Sequence, residues 1–154
     1  MHYLCHMQNL INISHQDLIY LLTGRTFVAL GRALHRNFKQ QGIDVSQEQW
    51  TILSELWQEE GLTQHELAAR TYRDKPAITR LIDNLEKKDL VRRDAHKSDR
   101  RVNLIFLTEK GHRMESVATE IVHQTITEAI EGIPEDDLLA LKRTLYRVFD
   151  NLNR

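Results

Sequence analysis

Apolar residues recur at three- and four-residue steps over most of the chain, and only between 90 and 107 does the period shorten. The first helical stretch runs from 16 to about 40. Its Leu18, Leu21, Leu22, Val28, Ala29 and Leu34, with Arg25 among them, spread apolar and small residues over more than one face. That pattern predicts contact with both a domain core and a second chain. Gly42 ends the stretch as a left-handed cap would. Ser46-Gln47-Glu48-Gln49 has the form of a capping box and starts a helix carrying Trp50, Leu53, Leu56 and Trp57. The tryptophan pair reads as core, and Glu59-Glu60-Gly61 closes the helix.

Thr63-Gln64-His65-Glu66 is a second capping box, opening a short helix with Leu67 and Ala68 inward. That helix ends near Thr71, and Tyr72-Arg73-Asp74 make a turn. The next helix begins at Asp74 or Lys75, with Pro76 in the first turn, where a missing N–H costs nothing. Ile78, Leu81, Ile82 and Leu85 form its apolar face, and Lys75, Thr79, Arg80, Asp83 and Lys87 lie opposite. Such a helix can sit on a core and still enter a major groove. Leu90-Val91-Arg92-Arg93 and the run from Val102 to Leu107 then read as strands, with Val102, Leu104 and Phe106 on one face. The loop between them, Asp94-Ala95-His96-Lys97-Ser98-Asp99-Arg100-Arg101, is too polar for core. A basic loop beside a recognition helix can reach phosphates or a minor groove. Helix, turn, helix and hairpin in that order predict a mainly α fold with a small β-hairpin wing, the winged helix-turn-helix layout.

Thr108 caps a further long helix with a stripe of Met114, Val117, Ala118, Ile121, Val122, Thr125, Ile126, Ala129 and Ile130. Gly132-Ile133-Pro134 breaks it. Glu135, Asp136 and Asp137 occupy the first turn of the last helix, where acids oppose the positive end of the dipole. Leu138, Leu141, Leu145, Val148, Phe149 and Leu152 follow. Two apolar helices exceed what one small winged unit needs for its own core, and a homodimer explains the surplus. The 154 residues read as a single domain, with dimerisation helices at 1–40 and 112–154 around a DNA-binding lobe at 46–108.

Net charge is −1, but residues 73–101 hold ten Lys or Arg against six Asp or Glu. A basic segment on an otherwise acidic chain favours one oriented surface against DNA. A single cysteine excludes an intrachain disulfide and points to a reducing cytoplasm. No run approaches a membrane span, and the first residues lack the pattern of a signal peptide. His2, Cys5 and His6 have ligand-type side chains, but no matching cluster lies elsewhere. No metal or other cofactor is expected, and Cys5 reads as an inert thiol rather than a redox switch. No G-x-S-x-G, H-E-x-x-H, phosphate-loop or dinucleotide fingerprint appears, so an enzyme is not expected.

The run from Lys75 to Lys88 (KPAITRLIDNLEKK), then Leu90-Val91-Arg92-Arg93, Asp99-Arg100-Arg101 and Leu107-Thr108-Glu109-Lys110-Gly111, resembles the multiple-antibiotic-resistance regulator (MarR) family of bacterial transcription factors. Asp89 stands where that family usually has glycine, and aspartate tolerates the left-handed conformation better than most residues. The resemblance implies a homodimeric, sequence-specific DNA-binding regulator, most often a repressor. Members of that family are commonly released by a small-molecule effector, in a region that Arg25, Trp50, Trp57 and Thr108 would line here. A packed core is the favoured reading of those positions, and no pocket is assigned. The expected DNA-binding residues are Thr63, Arg73, Lys75, Pro76, Ala77, Thr79, Arg80 and Lys87, with Lys97, Asp99, Arg100 and Arg101 from the loop. Arg101 matches the family's minor-groove arginine. The competing reading is a winged protein-interaction module that does not read DNA. Such a module would be expected to lose Arg80, Arg100 and Arg101, and all three are present.

Overall fold

The computed structural model describes residues 19, 20, 22, 24–96, 99 and 101–154. Its elements are α1 (Arg25–Gln40), α2 (Gln47–Gln58), β1 (Leu62–Thr63), α3 (Gln64–Thr71), α4 (Lys75–Lys87), β2 (Val91–Ala95), β3 (Asn103–Leu107), α5 (Glu109–Ala129) and α6 (Glu135–Leu152). The expected continuous helix from 16 is interrupted. Ile19, Tyr20 and Leu22 are helical, but Gly24 precedes α1 with φ 141°, a conformation glycine adopts without strain. Leu18, Leu21 and the His2, Cys5 and His6 group lie outside the described residues.

The helix starts follow the capping chemistry. Ser46 Oγ accepts from the Gln49 amide at 3.2 Å, and Gln49 Oε1 accepts from the Ser46 amide at 3.1 Å. Thr63 and Glu66 repeat the exchange at 3.1 and 2.7 Å. Asp74 caps α4 by accepting from the Ala77 amide at 2.7 Å, and Thr108 caps α5 by accepting from the Gly111 amide at 3.1 Å. Gly42 and Asp89 are both left-handed, with φ 71° and 56°, so the turn after α4 forms with aspartate in place of glycine.

The wing is a three-stranded antiparallel sheet in the order β1-β3-β2, with Leu62 opposite Ile105 and Val91 opposite Leu107. The strand at 62–63 extends the expected hairpin. The buried face of β3 carries Ile105 and Leu107, while Leu104 and Phe106 are half-buried on the other side. Phe106 lies against Gly61, whose added Cβ would come within 3.1 Å of its ring, and beneath the Arg92 guanidinium at 5.0 Å.

Two apolar clusters result. The larger fills the lobe with Ile52, Leu53, Leu56, Leu67, Ile78, Ile82, Leu85 and Ile105, all fully buried. The smaller joins α1 to α5 through Leu34, Phe38, Ala118 and Ile121. Ile43, Trp50, Trp57 and Met114 border both clusters, so the tryptophans are core at the junction of lobe and base. Helix α6 differs from the rest. It has no buried residue, and Leu139, Leu141, Leu145, Tyr146, Phe149 and Leu152 are all exposed. An apolar cavity of about 510 Å³ opens between α1, α5 and α6, bordered by Ala29, Ala33, Ile126, Ile133 and Leu141. No described helix is long and apolar enough to cross a membrane.

Candidate nucleic-acid interface

Helix α4 is seated by Ile78, Leu81, Ile82 and Leu85, all buried. That seating turns Lys75, Pro76, Arg80 and Lys87 to solvent, with Ala77 and Thr79 half-exposed beside them. Thr79 Oγ1 donates to the Lys75 carbonyl at 3.0 Å, so its hydroxyl is held back against its own helix. Arg73 precedes the cap. Its Nε is buried with no hydrogen-bond partner among the described residues. Thr63 is committed to capping α3 and lies half-buried.

At the wing tip, Asp99 holds Arg101 in three ways. Asp99 Oδ1 accepts from the Arg101 amide at 3.0 Å and from its Nε at 3.1 Å, and Oδ2 accepts from Nη2 at 3.4 Å. Asp99 and Arg101 lie two residues apart, a spacing that on a strand would point both side chains the same way, but the pairing does not come from strand alternation. The strands stop at Ala95 and resume at Asn103, and a turn closes between them, with the Val102 amide donating to the Asp99 carbonyl at 3.0 Å. The Arg101 hydrogen bonds hold the Asp99 carboxyl below the usual carboxylate range, side chain first and backbone second. A lowered carboxylate pKa means the pair is intact above the ordinary aspartate range and yields only as pH falls through that lowered value. The Arg101 side chain remains 91% exposed. Lys97 and Arg100 lie outside the described residues.

Several basic residues of the segment serve other ends. Arg93, only 19% exposed, bonds Asp83 at 2.5 Å and also Glu86, which ties β2 to α4 and neutralises two acids of that helix. Arg92 pairs with Asp94 across the outer face of the wing. Lys88 reaches the Asp44 carbonyl at 2.6 Å, the Asp44 carboxylate at 3.0 Å and Gln49 Oε1 at 3.1 Å. That contact lowers the Asp44 pKa, by hydrogen bond first and charge second. Charge counting over 73–101 could not separate these clamps from outward cations. Among the described residues of the segment, Arg73, Lys75, Arg80 and Lys87 are the cations without an ion pair.

The arrangement is that of a winged helix-turn-helix transcription regulator, and comparison with known proteins agrees. The profile of the MarR family matches residues 45–103. The transcriptional regulator PA3341 is 31% identical, over 88% of this chain and 99% of that one, with a TM-score of 0.71. CouR from Rhodococcus jostii RHA1, solved with p-coumaroyl-CoA, is 27% identical over 86% and 91% of the two chains, with a TM-score of 0.70. The transcriptional repressor CouR on a 23-mer DNA duplex shares the fold at 21% identity, 90% and 94% coverage and a TM-score of 0.75. The chain belongs to the MarR family of DNA-binding transcription regulators.

Proposed function

We propose that the protein is a homodimeric repressor that reads a pseudo-palindromic operator with α4 and the wing and is released by a small molecule. The observation that carries the DNA reading is Arg101, a guanidinium almost wholly exposed yet held in place by Asp99 before any ligand arrives. Holding a charged group ready lowers the entropy lost when it docks. A narrow, A/T-rich minor groove concentrates negative potential and favours such a guanidinium. Lys75, Thr79 and Arg80 take the adjacent major groove, with Ala77 small enough to approach a thymine methyl. Arg73, Pro76 and Lys87 border that surface, Thr63 supports it through the α3 cap, and Lys97 and Arg100 meet phosphates beside Arg101. The dimer reading rests on the apolar face of α6, where Leu139, Leu141, Leu145, Phe149 and Leu152 are exposed among the described residues and none is buried. For the effector, support comes from the Trp50 indole N–H, a buried donor without a partner at the junction of the two cores, and from CouR, crystallised with p-coumaroyl-CoA.

Selection from a random duplex pool followed by footprinting tests the reading. Two protected half-sites about one helical turn apart, roughly 10 bp, are expected from two-fold symmetry. Protection of one half-site at saturating protein contradicts it. Arg80→Ala is expected to cost about 1–3 kcal/mol and to relax preference at one base position, if the contact is bidentate to a base. Equal weakening on every sequence marks a phosphate contact instead. Arg101→Ala weakens binding most where the flanks are A/T-rich, whereas Lys97→Ala weakens all sequences alike and lowers the salt slope by about one. Asp99→Ala removes a negative charge facing DNA, so charge alone predicts tighter binding. Loss of the brace predicts weaker binding, and a titration at fixed salt decides between them.

A further inference from the structure

Tyr72 stands in the turn between α3 and α4 with φ 53° and ψ 38°, the left-handed conformation that glycine adopts without strain. Only Arg73 separates it from Asp74, the cap of α4. A small rotation at Tyr72 therefore redirects the entry of the recognition helix. Tyr72 is 73% exposed, so the lobe core does not hold it. What it meets is Phe149, edge to face, with ring centroids 4.7 Å apart and planes at 80°. That geometry suits the charge distribution of two aromatic rings. Phe149 belongs to α6, none of whose residues is fully buried. The start of α6 faces the base, where Leu138 and Leu141 border the cavity beside α1 and α5. Eight residues, or about 12 Å of helix, then separate Leu141 from Phe149. One helix thus runs from the apolar base to the turn that aims the reader. The left-handed turn is closed by the Arg73 amide donating to the Ala68 carbonyl at 3.1 Å, and the ring that packs on Tyr72 at that turn is Phe149.

We propose that Tyr72 is a positioning residue for DNA recognition, whose ring joins the α3–α4 turn to α6 so that the dimer base sets the spacing of the two readers. This rests on the dimeric, DNA-reading function proposed above. The contact uses the ring and not the phenol oxygen, so Tyr72→Phe preserves it. Tyr72→Gly removes the ring while suiting the backbone, so the fold survives and Tm holds or rises.

The test compares full-length wild type, Tyr72→Phe, Tyr72→Gly, Phe149→Leu and the Tyr72→Gly/Phe149→Leu double variant, each checked for dimerisation by light scattering. The probes are the duplex that wild type selects from a random pool, the same duplex with one base pair added between half-sites, and an isolated half-site. Tyr72→Phe binds as wild type. Tyr72→Gly, still dimeric, loses up to about tenfold on the selected duplex, as does Phe149→Leu, and the double variant loses no more than either. Discrimination against the lengthened duplex shrinks, and half-site affinity is unchanged. Wild-type binding by Tyr72→Gly overturns the proposal. So does an equal loss on the half-site with additive effects, which makes Tyr72 a direct DNA contact. A DNA-free measurement stands beside these. Phe149→Leu speeds hydrogen exchange at the Arg73 amide, which donates to the Ala68 carbonyl, and unchanged exchange overturns the joint. A wild type that enriches no sequence overturns the DNA reading and the role built on it, while the exchange result still reports on the joint.

Discussion

Replacing Leu145 with aspartate is expected to leave the protein monomeric and unable to hold an operator. Leu145 sits mid-way along α6 and is 46% exposed in its own chain, among Leu141, Tyr146 and Phe149. Burying a leucine against a partner contributes about 1.5–3 kcal/mol. A two-fold interface carries every substitution twice. With 46% of each Leu145 left to cover, loss of both leucines alone weakens the dimer by about 1.5–3 kcal/mol, and desolvating two unpaired carboxylates adds to it. The combined effect raises the dimer dissociation constant at least on the order of a hundredfold. Each half-site is then read by one lobe alone, without the gain from tethering the second. Light scattering and a mobility shift on the same sample should show both losses together. A wild type that is itself a monodisperse monomer contradicts the dimer, and an intact Leu145→Asp dimer removes α6 from the interface. Because Phe149 also meets Tyr72, a charge at Phe149 disturbs both base and turn, and Leu145 is the cleaner probe.

Much of this fold was legible because its helix starts are written in local chemistry. Thr63 with Glu66, and Ser46 with Gln49, close the boxes that their spacing predicts. The stripe of Ile78, Leu81, Ile82 and Leu85 is buried as its period requires. Less legible features depend on partners distant in sequence. Strand β1 is two residues long and exists only because Leu62 and Thr63 pair with β3. Leu104, Ile105, Phe106 and Leu107 are all apolar, so alternation could not say which pair faces the core; packing chose Ile105 and Leu107. Tyr72 gives no sign in sequence of a left-handed backbone, since tyrosine has no preference for it. Its partner Phe149 is 77 positions away. At the candidate interface the basic segment was readable, but the Asp99–Arg101 pairing was not, because a turn rather than strand alternation brings the two side chains together. The division of the segment's arginines into outward groups and inward clamps was not readable either, because Arg93 differs from Arg80 only in which face of its element it occupies. Gly24 does not announce the break before α1, because one glycine within a helical period is tolerated at about 1 kcal/mol.

Gly111→Ala is expected to be the most damaging small substitution in the lobe. An added Cβ would lie 2.2 Å from the Leu90 carbonyl oxygen, which is backbone and cannot swing aside, and 3.1 Å from Leu107. The crowding falls on a junction. The Thr108 amide donates to that same Leu90 carbonyl at 3.1 Å, and Thr108 Oγ1 donates to the Asp89 carbonyl at 2.6 Å. Lys110 Nζ donates to the Lys88 carbonyl at 2.7 Å, and Trp57 Nε1 to the Gly111 carbonyl at 3.1 Å. Together they press the first turn of α5 onto the end of the recognition helix, and a methyl group between them must part the two. Overpacking of this kind costs about 3 kcal/mol or more when backbone has to move. For a chain of this length that lowers Tm by roughly 6–12 °C. Gly42→Ala is the control. Gly42 has φ 71° but nothing within 4 Å of its added Cβ, so only the left-handed strain remains, about 1–2 kcal/mol. Thermal unfolding of the two variants side by side separates steric crowding from backbone strain. If Gly111→Ala melts no lower than Gly42→Ala, α5 can lift from Leu90 at little cost, and the end of the recognition helix is not clamped as described.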